Sequence, residues 1–356
     1  MTAAVGDRRA AVVNLIAAAR SIYDRRETCV ADLATSTGLS RAGVELGFQS
    51  LEIDATEAQV QKLLDSVPLA DRVHVILAAN VFVAPLRAIV LARAAAPTVT
   101  VRPSRRDPWL ARALVAEAKD PSISITPDLD VGEILSGEVH VYGHDETVAA
   151  VRARVRCGVL VRAHGAGMGV AFVSRAAECE RAAHDLAADV VAFDQRGCLS
   201  PRAAFVEGGA LRAREFAHAL HRQLASWGKR VPRGLLSPDE RRDATRWRDA
   251  VAFSSELLDA ADHAVAFSAE TATPWLPPAG RHVLVVAAPT LEHVTRWLAP
   301  IAAFVVAVGS DDPGRARGIF PDHARLDFLG RMQRPPLDGP VDRRASHSVR
   351  PQICPG

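Results

Sequence analysis

Residues 73–95 read VHVILAANVFVAPLRAIVLARAA. A short β-rich run, Val73 to Ala79, ends at Asn80, and Pro85 then opens a helical stretch that continues to Ala95. The same unit of strand, polar turn and helix recurs twice. Thr98 to Val101 is ended by Arg102-Pro103-Ser104 before a helix over Asp107–Lys119. Glu138 to Tyr142 leads through Gly143-His144-Asp145-Glu146 into a helix from Thr147. Three such units predict a mostly parallel sheet and an α/β fold. Ligands of parallel sheets sit at the carboxyl ends of strands. Those ends hold Asn80, Arg102 to Ser104, and Gly143 to Glu146.

Upstream of this stretch, residues 8–67 read as helical. Ala10 to Ile22 is rich in alanine, Ser40 can cap a helix through Phe48 and Leu51, and Glu57 to Val67 stops at Pro68. Downstream, Val159 to His164 begins a second block. Gly165, Gly167 and Gly169 follow a strand but precede another apolar run, so they read as a tight connection and not as a phosphate loop. A helix over Ala176–Leu186, a long helix over Arg212–Trp227, and strands at Val283–Val286 and Phe304–Val308 follow. The tail from Met332, rich in Pro and Arg, reads as extended.

The bulk numbers narrow the function classes. With 43 basic and 41 acidic side chains in 356 residues, the formal charge is +2, too small for a nucleic-acid-binding field. Cys29, Cys157, Cys179, Cys198 and Cys354 are scattered, without CxxC pairs or zinc spacing, so neither a disulfide framework nor a metal site is expected. The polar start and apolar runs no longer than Ile301–Val308 predict no signal peptide and no membrane span. A cytoplasmic setting is the expectation.

The chemistry-bearing segment is AFDQRGCLSPR, residues 192–202. An apolar run enters a polar turn carrying Gln195, Arg196 and Gly197, and the Cys198 thiol follows. A sulfur on such a turn is open to substrate, and Arg196 or a nearby helix N-terminus would favour its thiolate. The competing reading is a small buried hydrophobe, the usual fate of a cysteine.

Five segments in this order resemble acyl-CoA reductases of the LuxC type, within the aldehyde dehydrogenase superfamily. HVILAANVFVAPLRAI resembles the superfamily's Asn-Phe-Pro-type motif. VTVRPSRRDPWLARAL resembles its Lys-Pro-Ser cofactor segment, with Arg102 where Lys is usual. VHVYGHDETVAAVRAR resembles its Gly-Ser nucleotide loop, with His144 in place of Ser. FDQRGCLSPR is close to the reductases' Asp-Gln-x-x-Cys-Ser-Pro, and LGRMQRPPLDGP resembles their C-terminal Arg-Met-Gln-Arg-Pro-Pro.

The resemblance implies an aldehyde dehydrogenase-like fold. Residues 1–157 would form a helical N-terminal segment and a Rossmann-type dinucleotide-binding domain, 158–325 an α/β catalytic thiol domain, and 326–356 an extended tail. It implies reduction of an acyl thioester, from acyl-CoA or an acyl carrier, to an aldehyde, with NADPH or NADH as cofactor and a homo-oligomeric assembly. Cys198 is the implied nucleophile. Asn80 and the Cys198 backbone N–H are the implied oxyanion donors, although Asn80 also suits a plain strand-end turn. His164 is the candidate proton shuttle. Arg102, Ser104, Gly143, His144 and Asp145 would face the dinucleotide, and Arg102 can grip a 2′-phosphate. Gln195 either positions the thiol or is only a turn residue.

Aldehyde-oxidising relatives carry a general-base Glu where this chain reads VRAHGAGMGVAFV, without a carboxylate. That disfavours the alternative of an NAD(P)-dependent aldehyde dehydrogenase. A catalytically inactive paralogue acting as a binding subunit stays open, because of Arg102 and His144.

Overall fold

The apolar runs read as strands form strands, and they divide between two sheets. The computed structural model describes residues 2–269, 275–344 and 348–349. The chain begins with helices α1 (Thr2–Asp24), α2 (Val30–Thr37), α3 (Arg41–Phe48) and α4 (Glu57–Ser66). Ser40 Oγ accepts from Gly43 N at 3.1 Å at the start of α3. Thr56 and Gln59 form a reciprocal capping box on α4, satisfying N-terminal N–H groups that have no partner within the helix.

The first sheet contains β1 (Val73–Ile76), β2 (Val99–Arg102), β3 (Ile123–Ile125), β4 (Glu138–Tyr142) and β5 (Leu160–His164). Helices α5 (Ala84–Ala95), α6 (Trp109–Ala118) and α7 (Asp145–Arg154) lie between them in sequence. The spatial order is β13-β5-β4-β1-β2-β3. β1 to β5 run parallel, and β13 (Ser348–Val349) pairs antiparallel with β5. From β1 the chain steps outward to β2 and β3, then returns to place β4 on the other side of β1. The order therefore reverses between β1 and β4, and open parallel sheets seat ligands at the carboxyl ends of strands at such a reversal. The sequence reading began a second block at residue 159. Instead β5 completes the first sheet, because its apolar Val161 and Ala163 extend the face on which Val139, Val141, Val148 and Val151 pack.

The other face of β4 and β5 is polar, as strand alternation requires. Glu138 accepts from Arg162 Nε at 2.5 Å and Nη2 at 2.8 Å, and its Oε2 lies 3.0 Å from His140 Nε2. Burial opposes ionisation of Glu138, but the bonds from Arg162 and His140 win and hold its pKa down at about 2. A carboxylate with a depressed folded-state pKa contributes stability that is present above its unfolded value and lost as pH falls toward the folded one. A shift of this size corresponds to about 3 kcal/mol. Thermal melts from pH 6 to pH 2 are expected to show wild type losing stability below about pH 4.5 more steeply than Glu138→Gln. Parallel melting curves for the two proteins would remove this pair from the acid sensitivity.

The second sheet is built from β6 (Met168–Val173), β7 (Pro201–Glu207), β8 (Glu256–Asp259), β9 (Ala264–Ser268), β10 (His282–Ala288), β11 (Val305–Ser310) and β12 (Arg325–Phe328). Its order is β12-β11-β6-β7-β10-β9-β8, parallel except for β8 against β9. Helices α8 (Cys179–Val191) and α9 (Ala210–Arg230) cover one face. Their Leu186, Val190, Phe216 and Leu220 pack on Ala204, Val206, Val283 and Val285. Helices α10 (Pro238–Ser254), α11 (Leu291–Leu298) and α12 (Pro313–Ala316) cover the other, through Trp247, Val294, Trp297 and Ala316. Because both faces are buried, β6, β10 and β11 are buried throughout.

The chain divides into two compact units. One comprises Met1–Thr37, Phe48–Ala166 and Pro336–Gly356, and the other Gly38–Gly47 and Gly167–Pro335. Neither is continuous in sequence. Cys29, Cys179 and Cys198 are free thiols, whereas Cys157 is disulfide-bonded, which the scattered cysteine spacing did not suggest. Among the described residues, no helix is long and apolar enough to cross a membrane.

Candidate active site

Strand register gathers the expected cofactor residues of the first unit at one edge. Arg102 is level with Ile76, Ile76 with Val141, and Tyr142 with His164. Asn80, Ser104 and the Gly143–Asp145 turn follow directly after these strand ends. Asn80 is exposed, four residues beyond β1, and Arg106 Nη2 ties the turn by donating to Ala79 O at 2.9 Å.

Arg102 is half-buried, with a long bond of 3.4 Å from Nη1 to Leu129 O. Burial first, then the charges of Arg105 and Arg154, lower its pKa. The carboxyl end of β2 is thus short of negative charge, which suits a phosphate. Ser104 Oγ accepts from Arg106 N at 3.3 Å, closing its own turn. Gly143 N donates to His164 O at 3.2 Å. A Cβ at Gly143 would lie 3.3 Å from Thr147 Cβ, so helix packing alone already asks for a small residue here.

His144 is the exposed N-cap of α7, without a side-chain cap bond. Asp145 begins the helix, and its Oδ1 accepts from Ala166 N at 2.9 Å, so one carboxylate oxygen serves the loop after β5. His164 ends β5 and stacks on Tyr142, with ring centroids 4.3 Å apart and planes 7° from parallel.

Cys198 belongs to the second unit and is exposed. Ser200 N donates to Gly197 O at 3.1 Å, so the thiol sits on the first central residue of a tight turn. The turn lies at the amino ends of β6, β7 and β10, where Gly169 N donates to Ser200 O at 3.0 Å. A Cβ at Gly169 would stand 2.2 Å from Leu199 O and 2.8 Å from Met332 Cε. The third glycine of the 165–169 run is therefore where the cysteine turn crosses β6. Met332 is fixed in turn by buried Asp189, which accepts from Gly330 N at 2.7 Å and Met332 N at 3.0 Å. Burial pushes the Asp189 pKa up.

Cys198 is on a turn, as its segment was read. Arg196, its expected activator, donates from Nε to Glu240 Oε1 at 2.8 Å and from Nη2 to Leu235 O at 2.8 Å.

The approach to the turn is unusual. Phe193, Asp194 and Gln195 have φ of 55°, 49° and 63°, and each left-handed non-glycine residue costs on the order of 1–2 kcal/mol. Such strain persists only where surroundings enforce it. Here Asp194 Oδ1 accepts from Arg281 Nε at 2.9 Å, its Oδ2 from Gly234 N at 2.9 Å, and its carbonyl from Gly280 N at 3.0 Å. Gln195 Nε2 donates to Pro201 O at 2.6 Å and His282 O at 2.7 Å, while its Oε1 accepts from His282 N at 2.8 Å. The sequence assigns no role to Arg281, and Asp189 reads only as part of the apolar run before the thiol segment. Both stand alone among ordinary neighbours, and only the fold shows what they hold.

The model of the LuxC acyl-CoA reductases matches residues 45–319, most of the chain and both units. The chain belongs to the acyl-CoA reductase (LuxC) family. It is accordingly an oxidoreductase with an aldehyde dehydrogenase-like fold. A NAD-dependent benzaldehyde dehydrogenase from Corynebacterium glutamicum is similar at 16% identity, with 92% of this chain and 83% of that one covered and a TM-score of 0.66. A NAD-dependent aldehyde dehydrogenase from Sinorhizobium meliloti is similar at 14% identity, covering 91% and 75%, with a TM-score of 0.68. A Mycobacterium tuberculosis aldehyde dehydrogenase complexed with NAD+ aligns at 15% identity over 90% and 77%, with a TM-score of 0.61. No curated protein matches the sequence.

Proposed function

We propose that this family member reduces an acyl thioester, carried by coenzyme A or an acyl-carrier thiol, to an aldehyde through an acyl-cysteine on Cys198. The observation that carries the reading is an exposed thiol on a turn whose strained approach is held by a buried ion pair and a buried amide. Attack of the Cys198 thiolate on the thioester carbonyl forms a C–S bond. The bond to the carrier sulfur breaks, and the carrier leaves as a thiolate that takes up a proton. The acyl-cysteine carbonyl would then accept a hydride, the chemistry that a reduced nicotinamide dinucleotide would supply when bound, to give a thiohemiacetal oxyanion. Collapse of that adduct regenerates the Cys198 thiolate and releases aldehyde. Asn80 and the Cys198 N–H are the proposed donors to the oxygen that carries negative charge in both steps. His164 is the proposed proton shuttle.

The first unit fits a dinucleotide. At its β1/β4 reversal, Gly143 and the N-terminus of α7 follow β4, and a helix N-terminus favours anions. Arg102, crowded by Arg105 and Arg154, would hold a phosphate, which supports NADPH as the preferred form. Ser104, Gly143, His144 and Asp145 would line the same edge. Residues 160–173 contain no carboxylate to activate water for release of an acid, which favours thioester reduction over aldehyde oxidation.

Incubation with acyl-CoA and NADPH is expected to yield aldehyde and free coenzyme A thiol in equal amounts. Acid formation from aldehyde and NAD(P)+, with no thioester reduction, would reverse the assignment. Arg102→Ala is expected to raise KM for NADPH about tenfold or more, while KM for NADH changes little. Equal changes for both cofactors would remove Arg102 from the 2′-phosphate.

A further inference from the structure

We propose that Arg281 and Gln195 are positioning residues for the Cys198 thiol, acting through the left-handed segment Phe193–Gln195. The inference rests on the reading of Cys198 as nucleophile and extends it to residues that touch neither substrate nor cofactor.

Among the described residues, five non-glycine positions have positive φ, and four of them are Phe193, Asp194, Gln195 and Arg281. The conformational strain of the described chain is therefore concentrated on one assembly, three residues before the thiol. Arg281 is 1% exposed and Asp194 1%, so their charges lie away from water and each needs the other. The guanidinium spans two elements, with Nε on Asp194 Oδ1 at 2.9 Å and Nη1 on Val231 O at 2.9 Å. A planar fork makes both contacts at once, which an ammonium cannot reproduce.

Gln195 is wholly buried and does a different job. β7 begins at Pro201, which has no N–H to give to a neighbouring strand. The Gln195 amide takes that place, joining Pro201 O to both backbone groups of His282 at the start of β10. This bridge sets where β7 starts, and so where the Gly197–Ser200 turn projects. A turn fixed on one side by Arg281–Asp194 and on the other by Gln195 holds its sulfur in one place before substrate arrives. Such preorganisation raises the rate of attack more than it tightens binding.

The test uses Arg281→Lys, which keeps the charge and loses the fork, and Gln195→Met, which keeps the length and loses the amide. Steady-state kinetics on an acyl thioester are combined with site-resolved iodoacetamide labelling of Cys198, and Cys179 on α8 serves as the internal reference. In variants with a cooperative melt, kcat is expected to fall about tenfold or more with KM nearly unchanged. The Cys198 labelling rate is expected to change about threefold or more while that of Cys179 stays constant. Unchanged kcat and Cys198 labelling in a folded variant would overturn the proposal, as would parallel changes at both cysteines. If Arg281→Lys does not fold, Gln195→Met decides by the same two readouts. If wild type reduces no acyl thioester, the proposed function fails, yet the labelling comparison still decides whether these residues control the thiol.

Discussion

Replacing Cys198 by alanine is expected to abolish thioester reduction, by about 10⁴-fold or more, while leaving dinucleotide binding intact. The proposed route passes through an acyl-cysteine, and no other described free thiol is equivalent. Cys29 is buried, and Cys179 sits at the start of α8, where burial pushes its pKa up. Because Cys198 is exposed and on a turn, its truncation costs little stability, within about 0.5 kcal/mol. Loss of rate would then report chemistry and not unfolding. Aldehyde formation and released thiol measure the first property, and titration of bound NADPH fluorescence the second. A variant that keeps more than a trace of the wild-type rate would end the covalent mechanism.

Asn80→Ala is expected to lower kcat about a hundredfold. Attack and hydride delivery both place negative charge on one oxygen, and a preorganised amide donor is worth most while that charge is present. Asn80 is exposed and sits on the turn after β1, so its removal leaves the sheet undisturbed and the melting temperature close to wild type. KM is expected to change far less than kcat, since a ground-state carbonyl oxygen carries little charge. An unaltered kcat would make Asn80 an ordinary turn residue.

Much of the first unit could be read from sequence, because its strands are apolar runs ended by polar turns and followed by helical spacing. Val73 and Glu138 begin strands where expected, and β2 begins at Val99, one residue after the expected Thr98. Parts of the second unit were less legible. β7 begins with Pro201-Arg202, which breaks its apolar pattern, and β9 is only Ala264 to Ser268. Helix α10 has no expectation in the sequence, because its buried side chains are only Ala244, Trp247 and Val251 among many charges. The thiol segment stood out through its motif, but its support did not. Arg281 lies 83 residues beyond Cys198, and nothing in local pattern predicts that a lone arginine will neutralise Asp194 inside the protein. Gln195 had two open readings, and its three buried hydrogen bonds tie it firmly to the strand starts beside the turn.

The interleaving of the two units has a consequence for biosynthesis. Arg87 of α5 is buried, and its guanidinium donates to Glu52 Oε1 at 2.7 Å, to Pro336 O at 2.8 Å and to Gly339 O. Lys62 reaches Asp338 at 2.8 Å. The two carbonyls lie 249 and 252 residues after Arg87, and the Asp338 carboxylate 276 residues after Lys62. On the ribosome, the Arg87 guanidinium must therefore keep water in place of these partners until residue 339 has emerged.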